Sequence, residues 1–273
     1  MFDDSLRIGC GDGPQGRGSS HDRVALVTGG SSGIGKASAQ ALLNAGYKVM
    51  ISSRSATNLS AAWAELEPND RCAWHEADMT RPGRADDVVA ATLQRFERLD
   101  VLVTSHGSQP DAANFMQITD RDWEGTLNTN FYSVIALGRA AARAMEKGGE
   151  GGSIITISSV NGLRAEPCLA PYNVAKGAII SLTRSMAADL ASFGIRVNCL
   201  APGWILTPMT ETHYAPIAGR ELEGNMVRRI GQPNEIAHWV VFLAGRDSSY
   251  ATGEVFTVDG GQIASLSAIR PRT

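Results

Sequence analysis

The sequence has few cysteines, no long apolar run and no strong excess of charge. Its cysteines, Cys10, Cys72, Cys168 and Cys199, show neither CxxC nor Cys/His spacing. This argues against a disulfide framework or a metal site and predicts reduced thiols, as in a cytoplasmic protein. The net charge of −3 comes without a long basic run, which argues against a nucleic-acid or anionic-membrane partner. Apolar runs such as 239–244 are far too short to span a bilayer.

The two ends of the chain differ in composition from the part between them. Residues 1–22 are acidic at Asp3 and Asp4 and then rich in glycine. No apolar core follows a basic start, so this segment is not a signal peptide and is predicted to be a flexible tail. Residues 263–273 are assigned to a C-terminal tail. The hydrophobic content of 43% is ample for the core of one large α/β domain over 23–262.

Strand-like and helix-like segments alternate along this central part. Because strands that alternate with helices form parallel sheets with right-handed crossovers, we predict a doubly wound sheet of about seven strands with helices on both faces. The stretch 204–229 is poorly periodic and suits a lid over a cleft. The predicted strands are 24–27, 47–51, 72–75, 101–103, 153–157, 195–200 and 255–258, and the predicted helices are 34–45, 57–66, 86–96, 118–145, 170–193 and 235–243.

A glycine-rich turn follows the first strand and opens the first helix. It reads Thr-Gly-Gly-Ser-Ser-Gly-Ile-Gly over residues 28–35. Glycines allow a close backbone approach, and the helix N-terminus offers free N–H groups and a partial positive charge to a diphosphate. An ordinary βα turn is the alternative, but the position after the first strand favours dinucleotide binding in a Rossmann-type fold. The predicted contacts are Gly29, Ser31, Ser32, Gly33, Ile34 and Gly35.

Tyr172 and Lys176 lie one helical turn apart in the stretch Pro-Tyr-Asn-Val-Ala-Lys. Side chains four residues apart share a helix face. A nearby positive charge favours the phenolate and lowers the pKa of a tyrosine, which then becomes able to pass a proton to or from a substrate oxygen. Alone, the spacing favours an ordinary amphipathic helix over a catalytic pair.

The glycine spacing and the tyrosine-lysine pair together resemble the short-chain dehydrogenase/reductase family, and the resemblance runs from about Arg23 to Gln262. Other matching features are distributed along the chain. They are Asp78 after the third strand, Trp123 followed by Asn130, Ser159 at the end of the fifth strand, and Pro202, Gly203 and Thr207 after the sixth.

The resemblance implies four catalytic residues. Ser159, thirteen positions before Tyr172, would polarise a substrate carbonyl. Tyr172 would supply the proton, Lys176 would hold the nicotinamide ribose and keep the tyrosine acidic, and Asn130 would position a water. Asn128 is close enough that helix register decides between it and Asn130.

The resemblance also implies the remaining contacts of the site, and it implies no metal. Asn161 and Trp204, with Ser159 and Tyr172, are expected on the substrate side. Besides the glycine turn, Tyr172 and Lys176, the expected cofactor contacts are Ser53, Arg54, Asp78, Met79, Ser105, His106, Gly107, Pro202, Gly203, Ile205 and Thr207.

One loop departs from the family pattern. Where the family usually has Asn-Asn-Ala-Gly after the fourth strand, this chain has Thr104, Ser105, His106 and Gly107. One interpretation is a tolerated variation with backbone contacts kept. The other is that His106 touches cofactor or substrate.

The end of the second strand bears on the choice of cofactor. A carboxylate there would bind the adenosine ribose diol and repel a 2′-phosphate, whereas this chain has Ser52, Ser53 and Arg54. Because an arginine pairs with phosphate through two parallel hydrogen bonds, we predict a preference for NADP(H), with NAD(H) as the alternative. Arg54 as a solvated charge, or stacked on adenine, would fit NAD(H).

The leading hypothesis is an oxidoreductase that interconverts a ketone and a secondary alcohol on a small molecule. A 3-oxoacyl-carrier-protein reductase and an NAD(H)-dependent sugar or polyol dehydrogenase are alternatives within it. A dinucleotide-binding sensor or scaffold without turnover is the alternative of another class. The family is commonly homotetrameric through its two long helices, here 118–145 and 170–193.

Overall fold

A computed structural model describes residues 23–66, 70–211 and 224–264. The strands in this part are β1 (Val24–Thr28), β2 (Lys48–Ser53), β3 (Cys72–Glu76), β4 (Val101–Thr104), β5 (Gly152–Ile157), β6 (Ile195–Pro202) and β7 (Val255–Val258). They form one parallel sheet in the order β3-β2-β1-β4-β5-β6-β7. The predicted doubly wound fold is confirmed.

Helices cover both faces of the sheet. They are α1 (Gly33–Asn44), α2 (Ala56–Glu65), α3 (Arg84–Phe96), α4 (Asp120–Leu127), α5 (Ser133–Gly148), α6 (Ala170–Leu190) and α7 (Pro233–Ala244). On one face α1, α2 and α7 bury a core that includes Leu42, Leu59 and Val240. On the other, α3, α5 and α6 bury residues such as Val88 and Leu137. Among the described residues, none of the helices is both long and apolar enough to cross a bilayer.

The centre of the sheet positions the site. Every residue of β1 is buried, as expected for a strand with helices on both sides. In the register of the sheet, Thr28 lies beside Ser52 of β2 and Thr104 of β4. The chain adds strands in one direction from β1 to β3 and in the other from β4 onward. This reversal leaves a crevice at the carboxyl ends of β1 and β4, where such sheets bind ligands.

The long helical region predicted over 118–145 is helical from Asp120 to Gly148, but a π turn that was not predicted divides it. A capping box formed by Thr119 and Asp122 begins α4, and a π-helical turn, Asn128–Tyr132, separates α4 from α5. Side chains satisfy two carbonyls at this wide turn: Asn130 Nδ2 donates to Thr126 O at 3.0 Å, and Ser133 Oγ donates to Thr129 O at 2.7 Å. Such turns inside helices are frequent at functional sites.

The other predicted elements agree closely with the structure. Strand bounds and most helix bounds differ by at most two residues, and Gly194 ends the α6 region in the left-handed conformation with φ of 70°, as glycine commonly does. The predictions for tail residues 1–22 and 265–273, for Pro68 and for lid residues 212–223 lie outside the described residues.

Candidate active site

A cleft of about 370 Å³ opens at the carboxyl edge of the sheet above β1 and β4. Most of the residues that we predict for the site lie in the lining of this cleft. They are Gly29, Ser31, Ser32, Gly33, Ile34, Ser53, Arg54, Asp78, Met79, Ser105, His106, Gly107, Asn130, Ser159, Tyr172, Lys176, Pro202, Gly203, Ile205 and Thr207. A single cavity therefore reaches from the glycine turn to α6.

The glycine turn is packed against the loop after β4. Gly29 has φ of 69°, and a Cβ placed on it would lie 2.7 Å from the His106 backbone nitrogen. Only glycine fits such a conformation and approach without strain. Ser32 precedes α1, and its side chain makes no capping hydrogen bond. The amides and hydroxyls at the start of this helix therefore suit a bound diphosphate.

Gly35, also predicted as a cofactor contact, does not line the cleft. A Cβ on Gly35 would collide with the Gly29 carbonyl oxygen. Its role is to let α1 pack directly against the glycine turn.

Arg54 lies exposed at the far end of the cleft from α6. In the sheet, Ser53 pairs with Glu76 of β3. The Glu76 carboxylate does not line the cleft; its Oε1 accepts a hydrogen bond from Ala56 N at 3.2 Å. Sequence reasoning missed this nearby acid because strand pairing brings together residues that are distant in the chain.

Asp78 is held in place by Thr80. The Thr80 hydroxyl donates to Asp78 Oδ1 at 2.7 Å, and the Thr80 amide donates to the same oxygen at 3.1 Å. The hydroxyl contact is the main cause that lowers the pKa of this carboxyl, with smaller contributions from Arg81 and Arg54. Asp78 is therefore a fixed, ionised group on the cleft wall.

Tyr172 and Lys176 lie together on α6, facing β5. Lys176 Nζ is 5.5 Å from the centre of the Tyr172 ring and donates to the Ile157 carbonyl at 3.0 Å. The Ser158 hydroxyl donates to the Lys176 carbonyl at 2.7 Å, which ties α6 to the end of β5. The Ser159 hydroxyl, which donates to Asn161 Oδ1 at 3.4 Å, lies close enough to the phenol to lower its pKa. The two adjacent serines therefore have different partners. Ser158 binds the backbone of α6, and Ser159 lies beside Tyr172.

Burial controls the ionisation of this pair. It raises the pKa of Tyr172 to about 12, although the Ser159 hydroxyl lowers it, and the Glu166 carboxylate raises it further. Burial also lowers the pKa of Lys176 to about 8. This differs from the prediction that Lys176 makes the phenol unusually acidic, because desolvation is the largest influence on the phenol and the Lys176 charge is not among its causes. At neutral pH Tyr172 is a protonated phenol.

The structure selects Asn130 over Asn128. Asn128 is exposed, whereas Asn130 is completely buried and lines the cleft. Asn130 Oδ1 accepts from Ser108 N at 3.2 Å, and its Nδ2 donates to Ser108 O at 2.9 Å. A Cβ on Gly107 would lie 2.7 Å from Asn130 Oδ1 and 3.7 Å from Lys176 Nζ. This glycine therefore allows the loop to sit against both side chains.

His106 fits neither of its two interpretations fully. It lines the cleft, but its ring nitrogens are 2.7 Å from Thr28 Oγ1 and 2.8 Å from Ser133 Oγ. Burial, with a smaller contribution from the Lys176 charge, lowers the pKa of the imidazole to about 4. It is therefore neutral at physiological pH and bonded to the protein on both sides.

Asn161 and Trp204, predicted on the substrate side, do not line the cleft. Asn161 Nδ2 donates to Glu166 Oε2 at 3.0 Å, so its amide is turned toward the neighbouring loop. The Trp204 ring lies directly against the backbone of Gly224. The Asn161 side chain is thus hydrogen-bonded within the protein, and the Trp204 ring packs against the protein backbone.

Several cleft residues were not predicted individually, and most of them follow strand ends. They are Thr28, Ser52, Ser55, Asn58, Ala77, Thr80, Thr129, Ile157 and Ser158. Pro208, Met209 and Thr210 also line the cleft and belong to the segment 204–229 that is predicted to cover it. Thr28 and Ser52 lie at the carboxyl ends of β1 and β2, and this position was the sequence signal that could have placed them in the cleft. Ser52 Oγ is buried without a hydrogen-bond partner among the described residues, which suits a cleft that takes a polar ligand.

A phosphate-binding glycine turn and a Tyr-Lys-Ser group in one cleft, at the switch point of a doubly wound sheet, define a dinucleotide-dependent oxidoreductase. Among the described residues, no group of three or more His, Cys, Asp or Glu side chains is placed to hold a metal.

Comparison with known proteins gives the family. A model described as enoyl-(acyl carrier protein) reductase matches residues 29–262. Mouse dehydrogenase/reductase SDR family member 4 is 36% identical over 250 residues, 90% of this chain and 88% of that protein. The 3-oxoacyl-[acyl-carrier-protein] reductase of Synechocystis is 38% identical over 245 residues, 88% of this chain and 97% of that protein.

Two solved structures agree with these relatives. A short-chain type dehydrogenase/reductase from Mycobacterium ulcerans has a TM-score of 0.84 at 32% identity, covering 89% of this chain and 90% of that one. Levodione reductase has a TM-score of 0.84 at 30% identity, covering 90% and 99%. The chain belongs to the short-chain dehydrogenase/reductase family, as an NAD(P)-dependent member.

Proposed function

We propose that the enzyme interconverts a ketone and a secondary alcohol by hydride transfer with NADP(H), using Asn130, Ser159, Tyr172 and Lys176. The observation that carries this proposal is that Ser159, Tyr172 and Lys176 line the same cleft as the glycine turn. Two hydroxyl donors side by side suit a substrate oxygen that gains negative charge.

Tyr172 acts as the acid in the direction of ketone reduction. Its pKa of about 12 keeps the proton on the phenol at neutral pH, ready for transfer to the substrate oxygen. Ser159 donates a hydrogen bond to the same oxygen and orients the carbonyl. When bound, the nicotinamide supplies or accepts the hydride.

Lys176 connects the proton site to the rest of the cleft. Its amine has a pKa of about 8, so it is mostly charged at neutral pH and favours loss of the Tyr172 proton during the reaction. Asn130, across Gly107 from this amine, completes the path by which a proton returns to the phenol.

The residues of the glycine turn are proposed to hold the diphosphate, with Gly29, Ser31, Ser32, Gly33 and Ile34 in contact. The loops after the other strands would hold the rest of the cofactor. These contacts are Ser53, Arg54, Asp78, Met79, Ser105, His106, Gly107, Tyr172, Lys176, Pro202, Gly203, Ile205 and Thr207.

The preference for NADP(H) is supported by charge at the adenosine end. Arg54 borders the cleft and matches a 2′-phosphate. The Glu76 carboxylate, which would favour the ribose diol of NAD(H), is bonded to the start of α2 instead. The hydroxyls of Ser31 and Ser32 add donors beside the same phosphate.

The names of the relatives indicate which ketones to test. A 3-oxoacyl-[acyl-carrier-protein] reductase and levodione reductase carry a 3-oxo compound and a dione in their names. A 3-oxoacyl thioester is one candidate, and a small dione is another. A sugar or polyol with NAD(H) is the alternative within the same chemistry.

The test is a panel of ketones and alcohols with NADPH, NADH and their oxidised forms, followed by absorbance of the reduced nicotinamide. We expect turnover of at least one ketone with NADPH. In Tyr172→Phe, loss of the acid should lower kcat by about 100-fold to 10,000-fold, while NADPH binding measured by fluorescence stays within about threefold.

Binding of NADPH without turnover of any compound would support the sensor or scaffold alternative. A Tyr172→Phe enzyme as active as the wild type would remove the tyrosine from the mechanism.

We also propose a homotetramer in the cytoplasm. A groove of about 280 Å³ between α5 and α6 supports the assembly. Its lining combines apolar residues such as Ile135, Leu182 and Met186 with charged residues such as Arg139 and Asp189. Free thiols at Cys72 and Cys168 support a reducing compartment.

A further inference from the structure

His106 joins two elements that are distant in sequence. Its Nδ1 is 2.7 Å from Thr28 Oγ1 at the end of β1, and its Nε2 is 2.8 Å from Ser133 Oγ at the start of α5. Thr28 and Ser133 are both buried, so water does not readily replace either contact. The alanine usual at this position in the family has no atom that reaches either hydroxyl.

The network fixes the tautomer of the ring. Ser133 Oγ donates its only proton to the Thr129 carbonyl at 2.7 Å, so it accepts from His106, and Nε2 carries the hydrogen. Nδ1 then accepts from Thr28 Oγ1, whose other contact, to the Val103 carbonyl, is longer at 3.3 Å. One neutral tautomer thus satisfies both contacts.

This hydrogen bond supports the π turn. In an α-helix the Ser133 amide would bond to the Thr129 carbonyl, but here it bonds to the Asn128 carbonyl. The Ser133 hydroxyl donates to the Thr129 carbonyl in place of that amide, and His106 orients the hydroxyl. The ring therefore completes the hydrogen bonding that an α-helix would supply through its backbone.

The π turn carries Asn130, which is bonded twice to Ser108 in the loop that contains His106. Loop and turn are thus joined through the Asn130 amide and through the imidazole. Gly107, between them in the loop, abuts both Asn130 and Lys176. On its other side, the His106 backbone touches Gly29 of the phosphate-binding turn.

From this geometry we infer that His106 is a positioning residue, which holds the π turn so that Asn130 stays aligned with Lys176 for proton return to Tyr172. The inference rests on the proposed oxidoreductase function and deepens it. Without the ring, the Ser133 oxygen loses its donor and the π turn loses one of its two connections to the cofactor loop.

Three substitutions separate the two contacts of the ring. In His106→Gln the amide nitrogen keeps a donor near the Nε2 position toward Ser133, whereas in His106→Asn the oxygen keeps an acceptor near the Nδ1 position toward Thr28. His106→Ala keeps neither. We expect kcat for ketone reduction to fall roughly tenfold in the Asn and Ala variants, about the effect of one net hydrogen bond. The Gln variant should lose less kcat than the Asn variant because it keeps the donor toward Ser133, and in both variants the change in kcat should exceed the change in KM for NADPH.

Ser133→Ala breaks the same contact from the other side. Because both changes remove one connection, His106→Asn combined with Ser133→Ala should lose no more kcat than the worse single variant. The solvent deuterium isotope effect on kcat should rise in His106→Asn and Ser133→Ala, since proton return becomes slower. A ring that only fills space would lower thermal stability without changing the isotope effect, and that result would overturn the inference.

Nitrogen-15 NMR of the histidine-labelled protein tests the network without turnover. We expect the His106 ring to be neutral with its proton on Nε2, and the signal of that proton to be lost in Ser133→Ala. A ring protonated on Nδ1, or full kcat in the Asn and Ala variants, would contradict the inference. If the wild type reduces no ketone while the NMR result holds, the proposed function fails but the tautomer network stands.

Discussion

Tyr172 and Lys176 illustrate how burial shifts the chemistry of single residues. Both side chains are acid-base groups in a poorly solvated place, and burial favours the neutral form of each. The phenol consequently keeps its proton, and the amine loses its proton more easily than a lysine in water. The protonated phenol suits the reduction of a ketone.

Burial of the Lys176 charge destabilises the fold, which is testable. An amine with a pKa of about 8 when folded and about 10.5 when unfolded costs stability at low pH. Between these values the unfolded chain binds more protons, so stability rises with pH across that window. We expect Lys176→Met to unfold at higher urea concentration at pH 7, by an amount on the order of 2 kcal/mol in the free energy of unfolding.

The advantage of Lys176→Met should shrink as pH rises from 8 toward 10.5, because the wild-type amine is then neutral in both states. Lys147→Met, at an exposed lysine, is the control and should change stability little at either pH. An equal gain at pH 7 and pH 10 would show that the amine carries no buried charge.

Arg54 gives a prediction on cofactor choice. Arg54→Ala should raise KM for NADPH about tenfold or more, the effect of losing a charge-assisted hydrogen bond to phosphate. KM for NADH should hardly change. Steady-state kinetics with both cofactors measures this, with Arg81→Ala as the control, since Arg81 pairs with Asp78 but does not line the cleft. Equal effects on both cofactors would mean that Arg54 does not bind the phosphate.

Spacing along the chain predicted the site residues better than it predicted their chemistry. Tyr172, Lys176 and Gly29 lie within local motifs, so the sequence is enough to find them. The pKa of Tyr172 depends on how α6 packs on β5, and the partners of His106 come from β1 and α5. Contacts of this kind join elements that are distant in sequence, so no local pattern predicts them.

At the scale of elements, α1 and α4 each contain a glycine whose surroundings differ. A Cβ on Gly35 would collide with the Gly29 carbonyl, while a Cβ on Gly125 meets no atom within 4 Å. Gly35→Ala should therefore lower the free energy of unfolding by about 1–3 kcal/mol, as overpacking does, and should weaken dinucleotide binding because the glycine turn moves.

Gly125→Ala is the matched substitution and should stabilise the protein by about 0.5–1 kcal/mol, because alanine costs less chain entropy in a helix. Urea unfolding and NADPH titration of both variants check these expectations. Similar losses in both would mean that helix context, and not the glycine turn, limits position 35.

The region from α4 to α5 marks the limit of sequence prediction at this scale. The sequence predicts one helical region over 118–145, and no pattern in it indicates the π turn. The π turn depends instead on the side chains of Asn130 and Ser133. They donate hydrogen bonds to two carbonyls, which in an α-helix would accept from backbone N–H groups. Periodicity reports which face is buried, whereas these hydrogen bonds decide how the backbone is wound.

At the scale of the whole molecule, the proposed tetramer predicts the effect of a charge in the groove between α5 and α6. Leu182→Asp should convert the assembly to smaller species, because an interfacial carboxylate loses its water without gaining a partner. Light scattering after gel filtration measures the mass. Ala90→Asp, at an exposed position of α3, is the control and should keep the wild-type mass. A tetramer unchanged by Leu182→Asp would place the contact elsewhere.

The order of the strands also bears on synthesis at the ribosome. β1 is the first strand to be made, yet one of its two neighbours, β4, follows it by more than seventy residues. Until β4 emerges, an apolar strand has one open edge, to which other chains are able to add. The centre of the sheet is therefore where a nascent chain most needs protection by a chaperone.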